Sequence, residues 1–440
     1  MAVSPARSAA FDILLRVSQG AYAAELLHSH RLNALSPQDR ALCTELVMGV
    51  ERWRSRLDDA LALHLKQPLA KLDAEVLLAL RLGTYQLLFL DRVPARAAIH
   101  ESVELAKRAR KRSASGLVNA TLRNLTRYPP PPPSSAPGGT PLSCQFAHPE
   151  WLVNRWIERY GVAPAAAICE YDQRIPATAI RLRGTDDAEL AAEGLELSPG
   201  ALMAGARRVM AGDVTQTRAF TEQRIGIQDE ASQLVAALVG GGNRILDCCA
   251  APGGKTAAIA DRNPNAVVVA VDIHEHRTRT MQSLVKNPNV TFLTADARQL
   301  RLTQEFDRIL VDAPCSGTGT LARNPEIKWR LQPADLAELQ QRQLEILIAA
   351  AGQAAAGARL VYATCSLEPE EGEQVVAQAL ERCATLRLTE MRTELDRLRE
   401  ARELSWPDVA SLVQGKFLRT IPGMHPCDGF FAAVLRLADS

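Results

Sequence analysis

Apolar positions follow three successive patterns along this chain. From residue 5 to about residue 127 they recur at helical spacing, most clearly over 41–50 and 77–88. A stripe of that period turns one face of each helix toward its neighbours. The stretch therefore predicts an all-helical bundle over 1–128. Five consecutive prolines, Pro129 through Pro133, close it, and a Ser/Gly-rich run follows. Proline lacks the amide donor that a helix needs, so 129–147 reads as a semi-rigid linker. Over 148–225 the pattern is mixed. Residues 151–157 predict a helix, and 179–183 and 207–210 predict short strands, which makes a small α+β module.

From residue 226 to 440, short apolar runs alternate with helical stretches. Strands are predicted at 244–250, 266–272, 290–296, 307–314 and 359–366. That alternation is the pattern of a doubly wound parallel sheet. The end differs: 417–421, a turn through Pro422, Gly423 and Met424, and 430–437 read as a hairpin. An antiparallel last hairpin on a parallel sheet gives seven strands. The expected fold is thus multidomain, α followed by α/β.

Two of the apolar runs end in a cysteine. Val311-Asp312-Ala313-Pro314-Cys315 closes one, and Tyr362-Ala363-Thr364-Cys365 closes the other. Open α/β sheets bind ligands at the carboxyl ends of their strands. In a sheet ordered 3-2-1-4-5 the fourth and fifth strands are neighbours, about 4.8 Å apart. Cys315 and Cys365 then face one pocket. One thiolate can add to an electrophilic carbon, and the other can serve a later proton removal. Asp312, three residues before Cys315, can hydrogen-bond a ring nitrogen. Cys43, Cys144, Cys169 and Cys383 read as small buried hydrophobes.

Composition narrows the field only slightly. A length of 440 residues suggests two or three domains. A net charge of +1 names no partner. Locally, 92–127 carries nine Lys or Arg against two Glu, which suits either a phosphate backbone or a solvated helix face. The N-terminus has no apolar core of signal-peptide length, and no segment is apolar for long enough to span a bilayer. A cytoplasmic protein with reduced thiols is expected. The nine cysteines include no CxxC pair, which argues against a zinc site or a disulfide framework. His274-Glu275-His276 opens a helix and reads as surface.

The loop after the first strand of the sheet admits two cofactors. Gly254-Lys255-Thr256 fits the end of a phosphate-cradling loop, but Cys249 stands where that loop needs its first glycine. Pro252 removes one amide from any cradle. A cofactor with a ribose needs an acid at the end of the second strand, and Asp272 supplies it, 25 residues after Asp247. Asp296 ends the third strand in the same way. Acids at three successive strand ends suit hydroxyl and amine groups and repel a triphosphate. The nucleoside cofactor is the favoured reading.

These residues resemble a known family. The loop from Asp247 to Thr256, Asp312-Ala313-Pro314-Cys315-Ser316-Gly317 and Thr364-Cys365-Ser366 are similar to the RNA 5-methylcytosine methyltransferases that use S-adenosylmethionine. Gly226 to Ser232, Arg323 to Trp329 and Asp428-Gly429-Phe430-Phe431 also fit. In the helical region, Asp39-Arg40-Ala41-Leu42 and Ser115 to Arg123 resemble the NusB-like RNA-binding domain. Both ends together resemble the RsmB/NOP family, which methylates bacterial small-subunit (16S) ribosomal RNA.

The resemblance implies a class I methyltransferase sheet over 226–440 and RNA contact by the NusB-like bundle and the small module. It implies transfer of a methyl group to C5 of a cytosine through a covalent cysteine–C6 intermediate. Cys365 would be the nucleophile, and Cys315 would help release the product. Asp312 would hold the ring at N3, and Lys255 would support the pocket. Cys249, Ala250, Ala251, Pro252, Gly253, Gly254 and Lys255 would line the methionine part of the cofactor. Asp272 would bind the ribose and Asp296 the adenine, with Asp312 beside them. Arg323, Lys328 and Arg330 would meet RNA phosphates.

The implied partner is small-subunit ribosomal RNA, free or in early assembly, met by a monomer without metal or membrane. The chain departs from the family pattern at Gly184, Asn324 and Gly372, and no role follows for these. Two other readings stay open at this stage. One is a nucleoside-triphosphate hydrolase acting on RNA, and the other is a non-catalytic ribosome assembly factor.

Overall fold

The structure, a computed structural model, describes residues 3–29, 32, 34–131 and 140–438. It divides into two compact units. One comprises Met1–Ile175 with Leu321–Arg330, and the other Pro176–Thr320 with Leu331–Ser440.

The first unit is helical. Its bundle contains Pro5–Ser18, Pro37–Arg52, Arg54–Ala62, Ala74–Phe89, Ala95–Arg108 and Ser115–Arg127. The Pro37–Arg52 helix starts where the sequence provides a cap. Ser36 Oγ accepts from the Asp39 amide at 3.1 Å, and Pro37 occupies the first turn. Ala74–Phe89 is buried on all sides over 78–86. The charge it carries there, Arg81, is forked onto Asp58 by two bonds of 2.7 Å. Leu14, Leu46, Leu57 and Leu61 on the other helices, and its own Leu80 and Leu82, are fully buried.

The predicted linker and small module are organised differently from their sequence pattern. The prolines from Pro132, and the chain to residue 139, lie outside the described residues. The predicted linker ends in a short helix, Leu142–Gln145. Glu150–Tyr160 and Val162–Asp172 bury Leu152, Val153, Trp156, Ile168 and Cys169 within the helical unit. The division of the chain therefore falls at 175/176, inside the expected 148–225 module. Apolar faces on these two helices decide the matter, because each must be covered by other helices.

The strands of that stretch belong to the second unit. β1 (Thr178–Leu182), β2 (Glu196–Pro199), β3 (Ala206–Ala211) and β4 (Ile225–Ile227) form an antiparallel sheet in the order β2-β3-β1-β4. Glu230 fastens this sheet to the helix Glu230–Val239. Its carboxylate accepts from the amides of Leu202 at 2.6 Å and Met203 at 2.8 Å, and from Arg208 Nε at 2.8 Å.

The large sheet contains β5 (Arg244–Asp247), β6 (Val267–Asp272), β7 (Val290–Thr294), β8 (Phe306–Asp312), β9 (Ala354–Thr364), β10 (Leu386–Leu388), β11 (Val413–Gln414), β12 (Phe417–Thr420) and β13 (Phe430–Leu437). The order is β11-β12-β13-β9-β8-β5-β6-β7, with β10 also paired to β13. Its parallel part, β7-β6-β5-β8-β9, is the 3-2-1-4-5 arrangement expected from the sequence. All seven predicted strands are present. Two short strands, β10 and β11, extend the antiparallel edge to give nine. Leu246, Ile309, Val311, Leu360 and Tyr362 fill one face of the sheet, and Ile245, Val268, Leu310, Val361 and Ala363 the other. Burial on both faces explains the continuous apolar runs. Among the described residues no helix is long and apolar enough to cross a membrane.

Candidate active site at the carboxyl ends of the parallel strands

β5 stops at Asp247, three residues short of its predicted end, because Cys248, Cys249 and Ala250 turn away into the loop. The Cys248 amide still reaches Leu310 O at 2.9 Å, and the Ala250 amide reaches Val271 O at 2.8 Å. The loop is thus pinned to both neighbouring strands. Ala251-Pro252 is a cis peptide. Gly253 then takes φ +105° and caps the helix Gly254–Arg262. A Cβ there would lie 2.6 Å from Val285 Cγ2 and 2.9 Å from Met281 Cγ, so glycine is required twice over. The free amides of a helix start in this way at the cleft.

Asp247 is buried at the end of β5. Its Oδ2 accepts from Thr256 Oγ1 at 2.8 Å, and its Oδ1 has no hydrogen-bond partner among the described residues. Burial pushes this carboxyl up to about 7; the Thr256 hydroxyl opposes the rise, and Asp312 adds to it. Asp272 ends β6, buried, and its Oδ1 accepts from the His274 amide at 3.0 Å. Asp296 follows β7. Its carboxylate is gripped by Arg298, Nε to Oδ1 at 3.0 Å and Nη2 to Oδ2 at 2.6 Å, which holds it below the usual carboxylate range.

Lys255 and Asp312 meet across the cleft, Nζ to Oδ2 at 2.7 Å. The same ammonium lies 5.1 Å from the Phe430 ring centroid. Burial alone would pull the lysine pKa down, but the charge and hydrogen bond of Asp312 outweigh it and hold it above the ordinary value. Asp312 Oδ1 makes no hydrogen bond among the described residues. Lys255 therefore pairs with a carboxylate and is not presented to a phosphate, which removes the main support for the triphosphate reading.

The two thiols come together as the strand order requires. Cys315 Sγ lies 3.3 Å from Cys365 Sγ. β8 and β9 pair with Asp312 opposite Ala363, and the Ala313 amide donates to Ala363 O at 2.9 Å, so the cysteine loops leave the sheet side by side. Gly319 closes the arrangement. Its amide donates to Cys365 O at 2.9 Å, and a Cβ on it would lie 2.1 Å from Gly429 O. The Cys315 thiol is held well above its ordinary value, first by its hydrogen bond to Cys365, then by burial, then by the charges of Cys365 and Glu371. Of the other cysteines, Cys43 and Cys169 are buried and Cys383 is half-buried, whereas Cys144 is exposed and so is no core residue.

Two of the three cations expected to meet RNA phosphates, Lys328 and Arg330, are bound within the helical unit. Lys328 is buried in the helical unit, and its Nζ donates to Arg52 O at 2.9 Å. Trp329 Nε1 donates to Glu51 O at 2.7 Å, and Arg330 donates to Val17 O at 2.7 Å and Gly20 O at 3.1 Å. Those carbonyls lie at the ends of Pro37–Arg52 and Pro5–Ser18, where helices leave acceptors unsatisfied. Lys328 and Arg330 are helix-end caps, and Lys328, fully buried, is not available to a phosphate. Sequence reasoning also gave no role to Glu371, which lies buried beneath the thiols. The available signal was that a serine follows each strand-end cysteine.

Residues 238–436 match the family described as 16S rRNA methyltransferase RsmB/F, and residues 4–127 match the NusB family. The chain is 37% identical to the probable ribosomal RNA small subunit methyltransferase B of Bacillus subtilis, over 84% of this chain and 87% of that one. It is 34% identical to the ribosomal RNA small subunit methyltransferase B of Vibrio cholerae, over 91% of this chain and 90% of that one. In fold it is similar to the crystal structure of PH0851, with a TM-score of 0.81 at 22% identity over 99% of both chains. With its helical NusB domain and its strand-end site, the chain belongs to the RsmB/F family of 16S ribosomal RNA methyltransferases.

Proposed function

We propose that this protein methylates C5 of a cytosine in small-subunit ribosomal RNA, with S-adenosylmethionine as methyl donor and Cys365 as nucleophile. The observation that carries the reading is the 3.3 Å contact between two thiols at adjacent strand ends, beside a Lys255–Asp312 pair.

The strand-end groups fit the cofactor. Asp247 offers a buried carboxylate oxygen with no partner among the described residues, which suits a cationic amine. Asp272 at the end of β6 suits the ribose hydroxyls. The loop from Cys249 to Gly254, with its helix start, takes the amino-acid end, and Asp296 lies where the base would be held. When bound, the cofactor supplies an electrophilic methyl group.

The chain's own residues prepare the cytosine. The Cys365 thiolate adds to C6, forming a carbon–sulfur bond and making C5 nucleophilic enough to accept the methyl. Asp312 holds the ring at N3, and a proton from the Lys255–Asp312 pair passes to N3 as C6 is attacked, neutralising the charge that develops there and returning to the pair on elimination. In the elimination Cys315 passes its proton to the departing Cys365 sulfur, 3.3 Å away, and takes the C5 proton in its place. Loss of that proton breaks the carbon–sulfur bond and restores the aromatic ring.

The test is transfer of labelled methyl from S-adenosylmethionine to small-subunit ribosomal RNA, followed by nucleoside analysis. The expected product is 5-methylcytidine. A different methylated nucleoside would overturn the proposal.

A further inference from the structure

We propose that Glu371 is the positioning residue for both thiols: its buried carboxylate clamps the Cys315 loop to the Cys365 loop through the serine that follows each cysteine. The inference rests on the reading above, in which both thiols serve one reaction.

Glu371 is fully buried. Its Oε1 accepts from the Ser316 amide at 2.7 Å and from Gln343 Nε2 at 2.9 Å. Its Oε2 accepts from the hydroxyls of both Ser316 and Ser366, the latter at 2.5 Å. Four donors fill the acceptor sites of one carboxylate, and two of them are side chains adjacent to the thiols. The two hydroxyl oxygens are themselves 3.2 Å apart, nearly the separation of the two sulfurs.

The rest of the cluster fixes the clamp in place. Gln343 Nε2 also donates to Pro314 O at 2.9 Å, one residue before Cys315. The Glu368 amide donates to Ser366 Oγ at 3.0 Å, and the Leu367 amide to Thr318 Oγ1 at 2.9 Å. Tyr362 donates its hydroxyl to the Glu371 carbonyl at 2.8 Å, so the carboxylate is tied back to β9.

The arrangement is more than packing. An apolar or hydroxyl-only cluster could fill the space, but only an acceptor-only group can take both serine hydroxyls and an amide at once. The negative charge lies under Cys315 and contributes to keeping that thiol protonated, as a group that donates to a departing thiolate must be. Glutamine at 371 keeps the shape, loses the charge and replaces one acceptor by a donor.

The experiment uses the full chain and reads the thiols directly. Dibromobimane becomes fluorescent when it bridges two nearby thiols, and Cys315→Ala identifies the signal from this pair. In Glu371→Gln the bridging rate is expected to fall several-fold. At the same time kcat for RNA methylation is expected to fall on the order of 10²-fold, with the affinity for S-adenosylmethionine unchanged. Ser316→Ala and Ser366→Ala, which each remove a single hydroxyl, reproduce smaller parts of the loss. In the Glu371→Gln background they add little, since the clamp is already open. Bridging and kcat both unchanged in Glu371→Gln, or serine effects that add in full, would overturn the proposal. Bridging needs neither RNA nor cofactor. A wild-type protein that bridges normally but makes no 5-methylcytidine would refute the proposed function and leave the clamp standing.

Discussion

Two lysines, one half-buried and one fully buried, mark two regions that use charge in opposite ways. Lys255 stands in the strand-end cleft with a carboxylate at 2.7 Å, and its ammonium is held above the ordinary range despite burial. Lys328 lies in the helical unit, donates to a helix carbonyl, and is pulled down to about 7 by burial, with Asp172 pulling the other way. The cleft gathers groups that keep reactive capacity: a carboxylate oxygen on Asp312, an oxygen on Asp247 with no hydrogen-bond partner among the described residues, and two thiols. The segment Leu321–Arg330 does the reverse. Its Lys328, Trp329 and Arg330 are bound to backbone carbonyls over 17–52, which leaves them to shape and stability. Both regions carry family motif residues, so a motif residue marks either chemistry or architecture, and the partner decides which.

The largest effect that would sharpen this contrast belongs to Lys255→Met. It leaves the Asp312 carboxylate without its cation in a half-buried site. The expected loss in kcat/KM is about 10²–10³-fold, with little change in thermal stability. An unfolded variant, or one with normal turnover, would erase the distinction between the two lysines.

Lys328→Met should show the opposite profile. It removes a donor from the end of Pro37–Arg52, where Gln173 Nε2 at 3.1 Å remains on the same carbonyl. A cost of about 1–3 kcal/mol is expected, read as faster hydrogen exchange in that helix within the full chain, at unchanged cofactor affinity.

The lysine also sets a pH dependence. Its folded pKa lies below its unfolded one, so between about 7 and about 10.5 the unfolded chain binds more protons. Stability then rises with pH across that window. The wild-type helix should gain protection relative to Lys328→Met as pH rises from neutral, and a parallel response in both proteins would contradict the assignment. The smallest expected effect is Trp329→Phe, which loses one hydrogen bond to Glu51 O and costs about 1 kcal/mol by the same measurement.

Much of the cleft could be read from sequence because its signals are local. Each strand is a short apolar run, each acid or thiol sits at its end, and the doubly wound strand order makes β8 and β9 neighbours. The helical bundle was legible for the same reason, from its 3.6-residue period. Other features depend on pairing across long separations. β10 and β11 have three and two residues, too few to show a period, and exist through their partners β13 and β12. Lys328 looked like a phosphate contact because nothing near it in sequence reveals that Arg52 O is its acceptor, 276 residues away. Glu371 reaches Ser316 across 55 residues, and only the fold brings the two Cys-Ser pairs onto one carboxylate.

The central claim is that the two thiols, 3.3 Å apart, have unequal tasks. The most direct test incubates each cysteine variant with S-adenosylmethionine and small-subunit ribosomal RNA and resolves the products on a denaturing gel. Cys315→Ala is expected to accumulate a covalent protein–RNA adduct, because attack proceeds and release stalls. Cys365→Ala is expected to give neither adduct nor methylated RNA. An adduct formed by Cys365→Ala, or full turnover without Cys365, would contradict the account.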